Sequence, residues 1–301
     1  MKLRKSVVRP KGWLIFVYLL PAICIYTFVV VMPIASSIRL SFYNWFGGVK
    51  IIFAGLNNYK MLLSDSIFWD SFKNNVTIAA LCIVGQIGLA FIFSSMLNSR
   101  IAGFKSFYRV VAYFPATVSA VVVGFAWSFI FNYDYGLINS FLRLLNLGSW
   151  ASPWLDNPRT IVSVVSIPLI WQYVGFYMVI LLSAMTSIDQ SVYEMAEIDG
   201  ATGFQKAVNI TLPLIKGTIA VSVMLCIAGN MRIFDHIYVM TNGGPGNSSM
   251  VMALDVYKTT FINSQYGYAS AMSVAILVLS LALVLISRVA ITRPWRKESD
   301  L

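Results

Sequence analysis

The sequence predicts an all-α integral membrane protein with six transmembrane helices. Hydrophobic residues make up 58% of the 301 residues and charged residues only 11%, whereas about 25% of a typical soluble domain is charged. Six apolar runs are each long enough to cross a hydrocarbon core, which takes roughly 20 helical residues. None of these runs alternates polar and apolar residues as the strands of a membrane barrel do.

The six predicted spans follow these runs in order. They cover about residues 13–38, 76–97, 107–131, 161–185, 215–240 and 269–291. The first is too long for a removable signal peptide and lacks a small-residue cleavage site, so we expect it to remain as a membrane helix. One membrane domain is therefore predicted for residues 1–301, with its core at about residues 70–292.

The basic residues predict the topology. The net charge is +10, but the positions of the charges indicate membrane orientation rather than nucleic-acid binding, because Lys and Arg concentrate in cytoplasmic segments. With the N-terminus inside, fourteen basic residues lie on that side and seven on the other. The inner set is Lys2, Arg4, Lys5, Arg9, Lys11, Arg100, Lys105, Arg109, Lys206, Lys216, Arg288, Arg293, Arg296 and Lys297. Both termini are thus predicted to be cytoplasmic.

Cysteines and glycines indicate no cofactor. Cys24, Cys82 and Cys226 all lie in apolar spans, where small packing residues are expected rather than disulfides or metal ligands. The run that begins at Thr241, TNGGPG, has no following Lys-Ser/Thr and so is not a phosphate-binding loop. It predicts a tight turn in which Gly243 and Gly244 take positive φ.

A polar loop at residues 187–213 separates the fourth and fifth spans. Ser191 and Glu194 have the spacing of a capping box, and Gly200 can supply the left-handed residue that ends a helix. A short helix over about residues 192–199 is predicted, followed by a second box at Thr202 and Gln205. The loop is either a rigid helical protrusion at the cytoplasmic surface or an ordinary solvated connection between two spans.

The loop resembles a known motif. Glu194-Met-Ala196-x-x-Asp199-Gly200, then nine residues, then Ile210-x-Leu212-Pro213 is similar to the EAA loop of binding-protein-dependent ABC importer permeases, with Met195 in place of the first alanine. Further matches, among them Thr241-Asn-Gly-Gly-Pro245, resemble the carbohydrate-uptake permeases, and the first of their two permease subunits in particular.

This resemblance implies the partners and the mechanism. The EAA helix, between the fourth and fifth membrane helices, would dock on a cytoplasmic ATPase and turn ATP-driven closure into opening of the path. The implied assembly, in a bacterial inner membrane, contains this chain, a second permease, two ATPase subunits and an external sugar-binding protein. The chain itself would not be an enzyme and would need no cofactor. The residues implied in ATPase coupling are Tyr193, Glu194, Met195, Ala196, Asp199 and Gly200.

The resemblance also implies a sugar path on the helices that flank the loop. The aligned positions are Gln172, Tyr173, Phe176, Cys226, Gly229 and Asn230. Asn230 matches an asparagine of the family site, whereas Gln172 and Tyr173 depart from the maltose pattern. Polar residues in a span are often functional, although Gln172 and Asn230 could instead bond neighbouring helices. The aromatic content favours a neutral sugar over a phosphate ester.

One charged cluster lies in the fifth span. Arg232 and Asp235 are three residues apart and would share a helix face and pair, either as a structural pair or as a gate; His236 has no partners at metal spacing. An alternative function, ion-coupled secondary sugar transport, would need paired acids within the membrane and an internal repeat. A membrane-embedded enzyme would need a catalytic cluster at one depth, which the sequence does not suggest.

Overall fold

The computed structural model describes residues 12–98 and 104–296, with side chains up to residue 291. The chain divides into two compact units, one containing residues up to 63 and residues 259–274, the other residues 64–258 and those from 275 onwards. The chain ends, on which the predicted location of the termini depends, and Arg100 lie outside the described residues.

A long apolar helix and a small hairpin make up the N-terminal part of the first unit. The elements are α1 (Gly12–Tyr26), a π-helical turn (Thr27–Val31), α2 (Met32–Leu40), β1 (Tyr43–Trp45), β2 (Ile51–Phe53) and α3 (Asn57–Ser64). All residues from 12 to 40 are at least partly exposed. The strands pair antiparallel, with Tyr43 opposite Phe53. Asn58 joins α3 to this hairpin because its Nδ2 donates to the carbonyl oxygens of Ser41 and Tyr43, at 2.8 and 3.0 Å.

The second unit begins with one continuous span and one bent span. Its first elements are α4 (Ser66–Cys82), a π-helical turn (Ile83–Ile87), α5 (Gly88–Asn98), α6 (Lys105–Tyr113), a 3-10 turn (Phe114–Thr117), α7 (Ala120–Ile130), α8 (Leu137–Leu144) and a second 3-10 turn (Gly148–Trp150). The helices α4 and α5, with the π-helical turn between them, form one continuous span of 33 residues. The span that contains α6 and α7 is bent instead, because its helix axis changes direction by 95° between Thr117 and Ala120.

The remaining elements contain the longest buried helix and the polar loop. They are α9 (Ile161–Thr186), α10 (Gln190–Ile198), α11 (Gly203–Gln205), a π-helical turn (Lys206–Thr211), α12 (Leu212–Leu214), α13 (Lys216–Met231), α14 (Asp235–Met240), α15 (Met252–Tyr257), a π-helical turn (Lys258–Ile262) and α16 (Tyr266–Arg296). Between Leu214 and Lys216 the axis bends by 75°. The last helix, α16, begins in the first unit and continues into the second.

Four helices in the described part of the chain are long and apolar enough to cross a membrane, and six if each bent pair counts as one span. The predicted third and fifth spans are therefore not continuous helices. The third is interrupted at Val118, whose ψ of 142° is extended. The fifth is interrupted after Met231, and a separate helix starts at Asp235. The apolar residues on both sides of each interruption are why average hydropathy alone predicts unbroken spans, although the second interruption contains the charged Arg232.

The core of the second unit is built around α9. More than half of its most apolar window is buried, as expected of a helix that is hydrophobic on all sides. It packs against α4, α5, α6 and α13. Gly175 permits the contact with α6, because a Cβ at this position would lie 1.8 Å from the carbonyl oxygen of Ala112. The side-chain amide of Gln86 and the hydroxyl of Ser94 donate to α9 carbonyl oxygens, each at 2.9 Å.

The loop that begins at Thr241 is a tight turn, as predicted, but with different residues at positive φ. Gly243 has a φ of +86°, while the other left-handed residues are Asn242 and Gly246 rather than Gly244. The loop is attached to α4 through two neighbouring asparagines. Asn74 donates to the carbonyl oxygens of Ser248 and Met250, and the N–H of Met252 donates to Asn75.

Candidate functional site

The loop between α9 and α13, residues 187–215, is termed the coupling segment below. Its helix α10 begins earlier than predicted, because the carboxylate of Asp189 accepts the N–H of Ser191 at 2.9 Å. This hydrogen bond lowers the pKa of the Asp189 carboxyl below its ordinary value. The predicted capping box at Ser191 and Glu194 is therefore wrong. Aspartate is as good an N-cap as serine, and here the aspartate two residues upstream occupies the position.

The end of α10 and the second box are as predicted. Gly200 has a φ of +76°. Its N–H donates to the carbonyl oxygen of Glu197, and the N–H of Ala201 donates to that of Ala196, which together form a Schellman termination. Thr202 and Gln205 make the reciprocal pair of hydrogen bonds of a capping box. The coupling segment is thus fixed by side-chain caps and a left-handed turn at three successive points.

The predicted coupling residues divide into two groups. Ala196 is 7% exposed, and the hydroxyl of Tyr193 lies 3.1 Å from that of Thr211, so these two hold α10 against the rest of the segment. Glu194, Met195, Asp199 and Gly200 are exposed.

Two exposed apolar side chains extend this surface beyond the predicted set. Ile198 is 85% exposed and Phe204 is 78% exposed, compared with 58% for Met195. Met195 and Ile198 are three residues apart and so share a helix face, and the sequence of this short helix indicates Ile198 as an apolar contact residue. A short capped helix that presents apolar side chains to solvent is suited to fit into a groove on another protein.

A cavity of about 550 Å³ lies in the second unit, halfway along α9. Five of the six predicted path residues line it: Tyr173, Phe176, Cys226, Gly229 and Asn230. The end of α9 at Thr186 is 13 residues from Tyr173, or about 20 Å at the rise of an α-helix. One helix therefore connects the cavity to the coupling segment.

The cavity lining combines aromatic rings with hydrogen-bonding groups. The rings belong to Tyr113, Tyr173, Phe176, Tyr177 and Phe234, and the amides to Gln86 and Asn230. The Nδ2 of Asn230 donates to the carbonyl oxygen of Cys226 at 2.8 Å. Rings that match apolar C–H faces, together with amides and hydroxyls that match hydroxyl groups, make a surface suited to a neutral polyhydroxylated ligand.

Both interrupted spans border the cavity. Ala116 and Ala120 flank the break at Val118, and Arg232, Ile233 and Phe234 form the break after α13. All of them except Val118 itself line the cavity. Irregular backbone within a membrane is tolerated where it is buried in protein or lines a cavity, and a discontinuous helix is a common feature of substrate sites in transporters.

Gln172 lies beside the cavity and not in its lining. Its side chain is 1% exposed. Its Nε2 donates to the carbonyl oxygen of Val118 at 2.9 Å, and its Oε1 lies 2.7 Å from Nε2 of His236. Gln172 therefore makes hydrogen bonds between helices, which was the alternative expected for this residue. It links the break at Val118 to His236 in α14.

The arrangement expected for Arg232 and Asp235 is wrong. Arg232 caps the end of α13 and Asp235 is the first residue of α14, so no common helix face brings them together. Both side chains are exposed and both line the cavity, as does His236. Within the described residues, no group of three or more His, Cys, Asp or Glu side chains could hold a metal ion.

Comparison with known proteins places these features in a family. The family described as "Binding-protein-dependent transport system inner membrane component" matches residues 86–295, which include the cavity and the coupling segment. A probable ABC transporter permease of Pyrococcus horikoshii is 33% identical over 273 residues, which cover 90% of this chain and 93% of that protein.

A second relative agrees with this assignment, and a solved structure shares the fold. The multiple sugar-binding transport system permease MsmF of Streptococcus mutans is 31% identical over 287 residues, covering 93% of this chain and 94% of that protein. A bacterial ABC transporter involved in the import of alginate, an acidic polysaccharide, has a chain of similar fold, with a TM-score of 0.80 and 24% identity. The similarity covers 93% of this chain and 96% of that one. The chain belongs to the inner membrane components of binding-protein-dependent transport systems, and is a permease rather than an enzyme.

Proposed function

We propose that this chain forms half of the translocation path of an ATP-driven importer for a neutral oligosaccharide. In this proposal the chain is one transmembrane domain of six spans, the two bent pairs each counting as one. Its partners are a second permease, two cytoplasmic ATPase subunits and an external sugar-binding protein. The coupling segment docks on the ATPase, and the cavity holds the sugar.

The observation that carries the proposal is the continuity of α9. This helix lines the cavity with Tyr173 and Phe176 and leads within a few residues to the capped helix α10. A rigid-body movement of α10 would therefore displace α9, and with it one wall of the cavity, because only residues 187–189 separate the two helices. Alternating access in transporters proceeds through rigid-body movements of this kind.

The chemistry of the cavity supports a neutral sugar. The rings of Tyr173 and Phe176 can pack against the C–H faces of a pyranose, and the Asn230 amide can bond its hydroxyl groups. The exposed charges at the rim, Arg232 and Asp235, are of opposite sign, so they do not form the cluster of cations that a phosphate ester would require.

The docking claim is tested by co-purification. Ile198→Asp places a charge in the apolar contact with the ATPase and leaves the fold of the segment intact, because this side chain is 85% exposed. Burying an isoleucine stabilises a contact by about 1.5–3 kcal/mol, so the affinity for the ATPase should fall roughly 10- to 150-fold. Affinity-tagged wild-type chain in mild detergent should retain both the second permease and the ATPase, and the variant only the permease.

The matched control is Leu137→Asp. Leu137 is also an exposed apolar residue, 69% exposed, but it begins α8, far along the chain from the coupling segment. This variant should retain the ATPase. Retention of the ATPase by Ile198→Asp, or a wild-type chain that purifies alone, would contradict the proposed docking.

A further inference from the structure

Three aromatic rings cluster where the fifth span is interrupted. The rings of Phe234 and Tyr238 are stacked, with centroids 5.1 Å apart and an interplanar angle of 14°. Tyr257, at the end of α15, completes the cluster at 5.3 Å from Phe234 and 5.7 Å from Tyr238. We call these three residues the aromatic cluster.

The cluster is continuous with the cavity. Phe234 belongs to the cavity lining, and Tyr238 lies one helical turn further along α14. The cluster follows the C-terminal end of α13, whereas the N-terminal end of α13 adjoins the coupling segment. It therefore extends the aromatic lining of the cavity away from the side that is proposed to meet the ATPase.

The degree of exposure distinguishes this cluster from a packing core. Tyr238 is 42% exposed, and Phe234 and Tyr257 are half-buried. Three mutually ordered rings that remain exposed beside a cavity present preformed apolar faces with two phenol hydroxyls. Such rigid rings lose little conformational entropy when they bind a ligand. The exposed side chains of Arg232 and Asp235, on the same stretch of chain, add hydrogen-bonding groups of both signs.

We propose that the aromatic cluster is a second sugar-binding surface, which holds a further pyranose unit of an oligosaccharide whose leading unit occupies the cavity. The inference rests on the proposed function, since it assumes that the cavity takes a sugar. It goes beyond that function by assigning Tyr238 and Tyr257 a role in selecting oligosaccharides by length. A disaccharide contained in the cavity would make few contacts with these rings, and a longer chain would make more.

The test compares two lengths of sugar in the complete importer reconstituted in proteoliposomes with its binding protein and ATP. The probes are radiolabelled maltose and maltopentaose, with xylobiose and xylopentaose as a second pair. An aromatic contact contributes about 0.5–1.5 kcal/mol beyond its buried area. Tyr238→Leu and Tyr257→Leu should therefore lower the ratio of pentasaccharide to disaccharide uptake by roughly 2- to 12-fold. Tyr238→Phe, which retains the ring, should keep most of that ratio.

The control is Tyr135→Leu, which removes a more exposed ring, 64% exposed, from the loop before α8 and should leave the ratio unchanged. An unaltered ratio in both cluster variants, or an equal loss of both sugars, would overturn the proposal. Loss of the second permease from the purified variants would assign the cluster to subunit contact instead, and would also overturn it. Failure of the proposed function gives a different result, because the wild-type assembly would then take up neither sugar.

Discussion

At the scale of single residues, Gln172 shows how a polar side chain stabilises an interrupted membrane helix. The break at Val118 leaves a backbone carbonyl without a helical partner, and the Gln172 amide donates to it. The same side chain bonds His236 beyond the second break. A side chain expected to touch the sugar thus positions the two irregular segments that border the cavity.

Replacement of this residue should destabilise the protein. Gln172→Leu keeps the side-chain volume but leaves the Val118 carbonyl and the His236 ring without their partners. A buried polar group that loses its hydrogen bond costs about 1–3 kcal/mol. The midpoint of thermal unfolding of the purified permease in detergent should therefore fall. Gln265→Leu is the control, because the bond that Gln265 makes to Thr259 comes from its backbone N–H. Equal midpoints in the two variants would show that the Gln172 bonds contribute nothing.

Asp255 predicts a pH dependence of stability. Its side chain is 9% exposed, and its Oδ2 has no hydrogen-bond partner among the described residues. Burial, reinforced by the charge of Asp65 and opposed by Lys258, raises the pKa of the Asp255 carboxyl to about 6. Because this pKa is above its ordinary value of 3.8, the folded state binds the proton more tightly. Stability is therefore lost as the pH rises from about 4 to about 6.

The substitution Asp255→Asn should remove the loss of stability that accompanies the rise in pH. At pH 7.5 the variant should be more stable than the wild type, by up to about 3 kcal/mol if the whole shift is recovered. The difference should shrink at pH 5 and vanish near pH 3.5. Thermal unfolding of both proteins at these values measures it, with the exposed Asp156→Asn as a control. A difference that does not change with pH would show that ionisation of Asp255 has no effect on folding.

At the scale of elements, the ends of α10 were predictable to different degrees. Gly200 could be placed at the C-terminus because few other residues adopt positive φ without strain, and the observed φ of +76° agrees. The N-terminus was harder to place, since Asp189 and Ser191 are both good N-caps and the sequence does not rank them. The choice depends on how the chain leaves α9, which is a tertiary property.

Substitutions at Gly200 test whether the shape of this turn matters for coupling. A left-handed conformation costs roughly 1–2 kcal/mol for most residues, although asparagine tolerates it, and proline cannot adopt it. Gly200→Pro should lower ATP-driven sugar uptake by roughly tenfold or more, the equivalent of about 1.4 kcal/mol. Gly200→Asn should remain near the wild type. A steric clash does not explain the expected difference, because a Cβ at Gly200 would meet nothing within 4 Å. Equal uptake by the two variants would exclude a role for the turn geometry.

The two interruptions of the membrane spans were not predictable from the sequence. Averaged hydropathy stays high across Val118 and across residues 232–234, and the charged cluster at Arg232 and Asp235 marks the second break without showing that the helix ends there. The groups that satisfy the broken backbone come from distant positions. Gln172 donates to Val118, and Asn75 donates to the carbonyl oxygen of Asn230 at 2.7 Å. Sequence reasoning identified Gln172 and Asn230 as unusual polar residues in spans, but could not distinguish structural partners from sugar contacts.

At the scale of the whole molecule, we propose that the chain connects ATP hydrolysis on separate subunits to the movement of a sugar through the cavity. Five of the six path positions implied by the family resemblance line one cavity, and α9 joins that cavity to the coupling segment. The composition and family of the chain establish a membrane permease.

The most direct test of this coupling is sugar uptake into proteoliposomes that contain the chain, its second permease and the ATPase. ATP would be enclosed inside and the sugar-loaded binding protein added outside. Uptake should require both ATP and the binding protein, and should be absent when a proton or sodium gradient replaces ATP. Uptake driven by an ion gradient without ATP would contradict this coupling and would establish the chain as a secondary transporter.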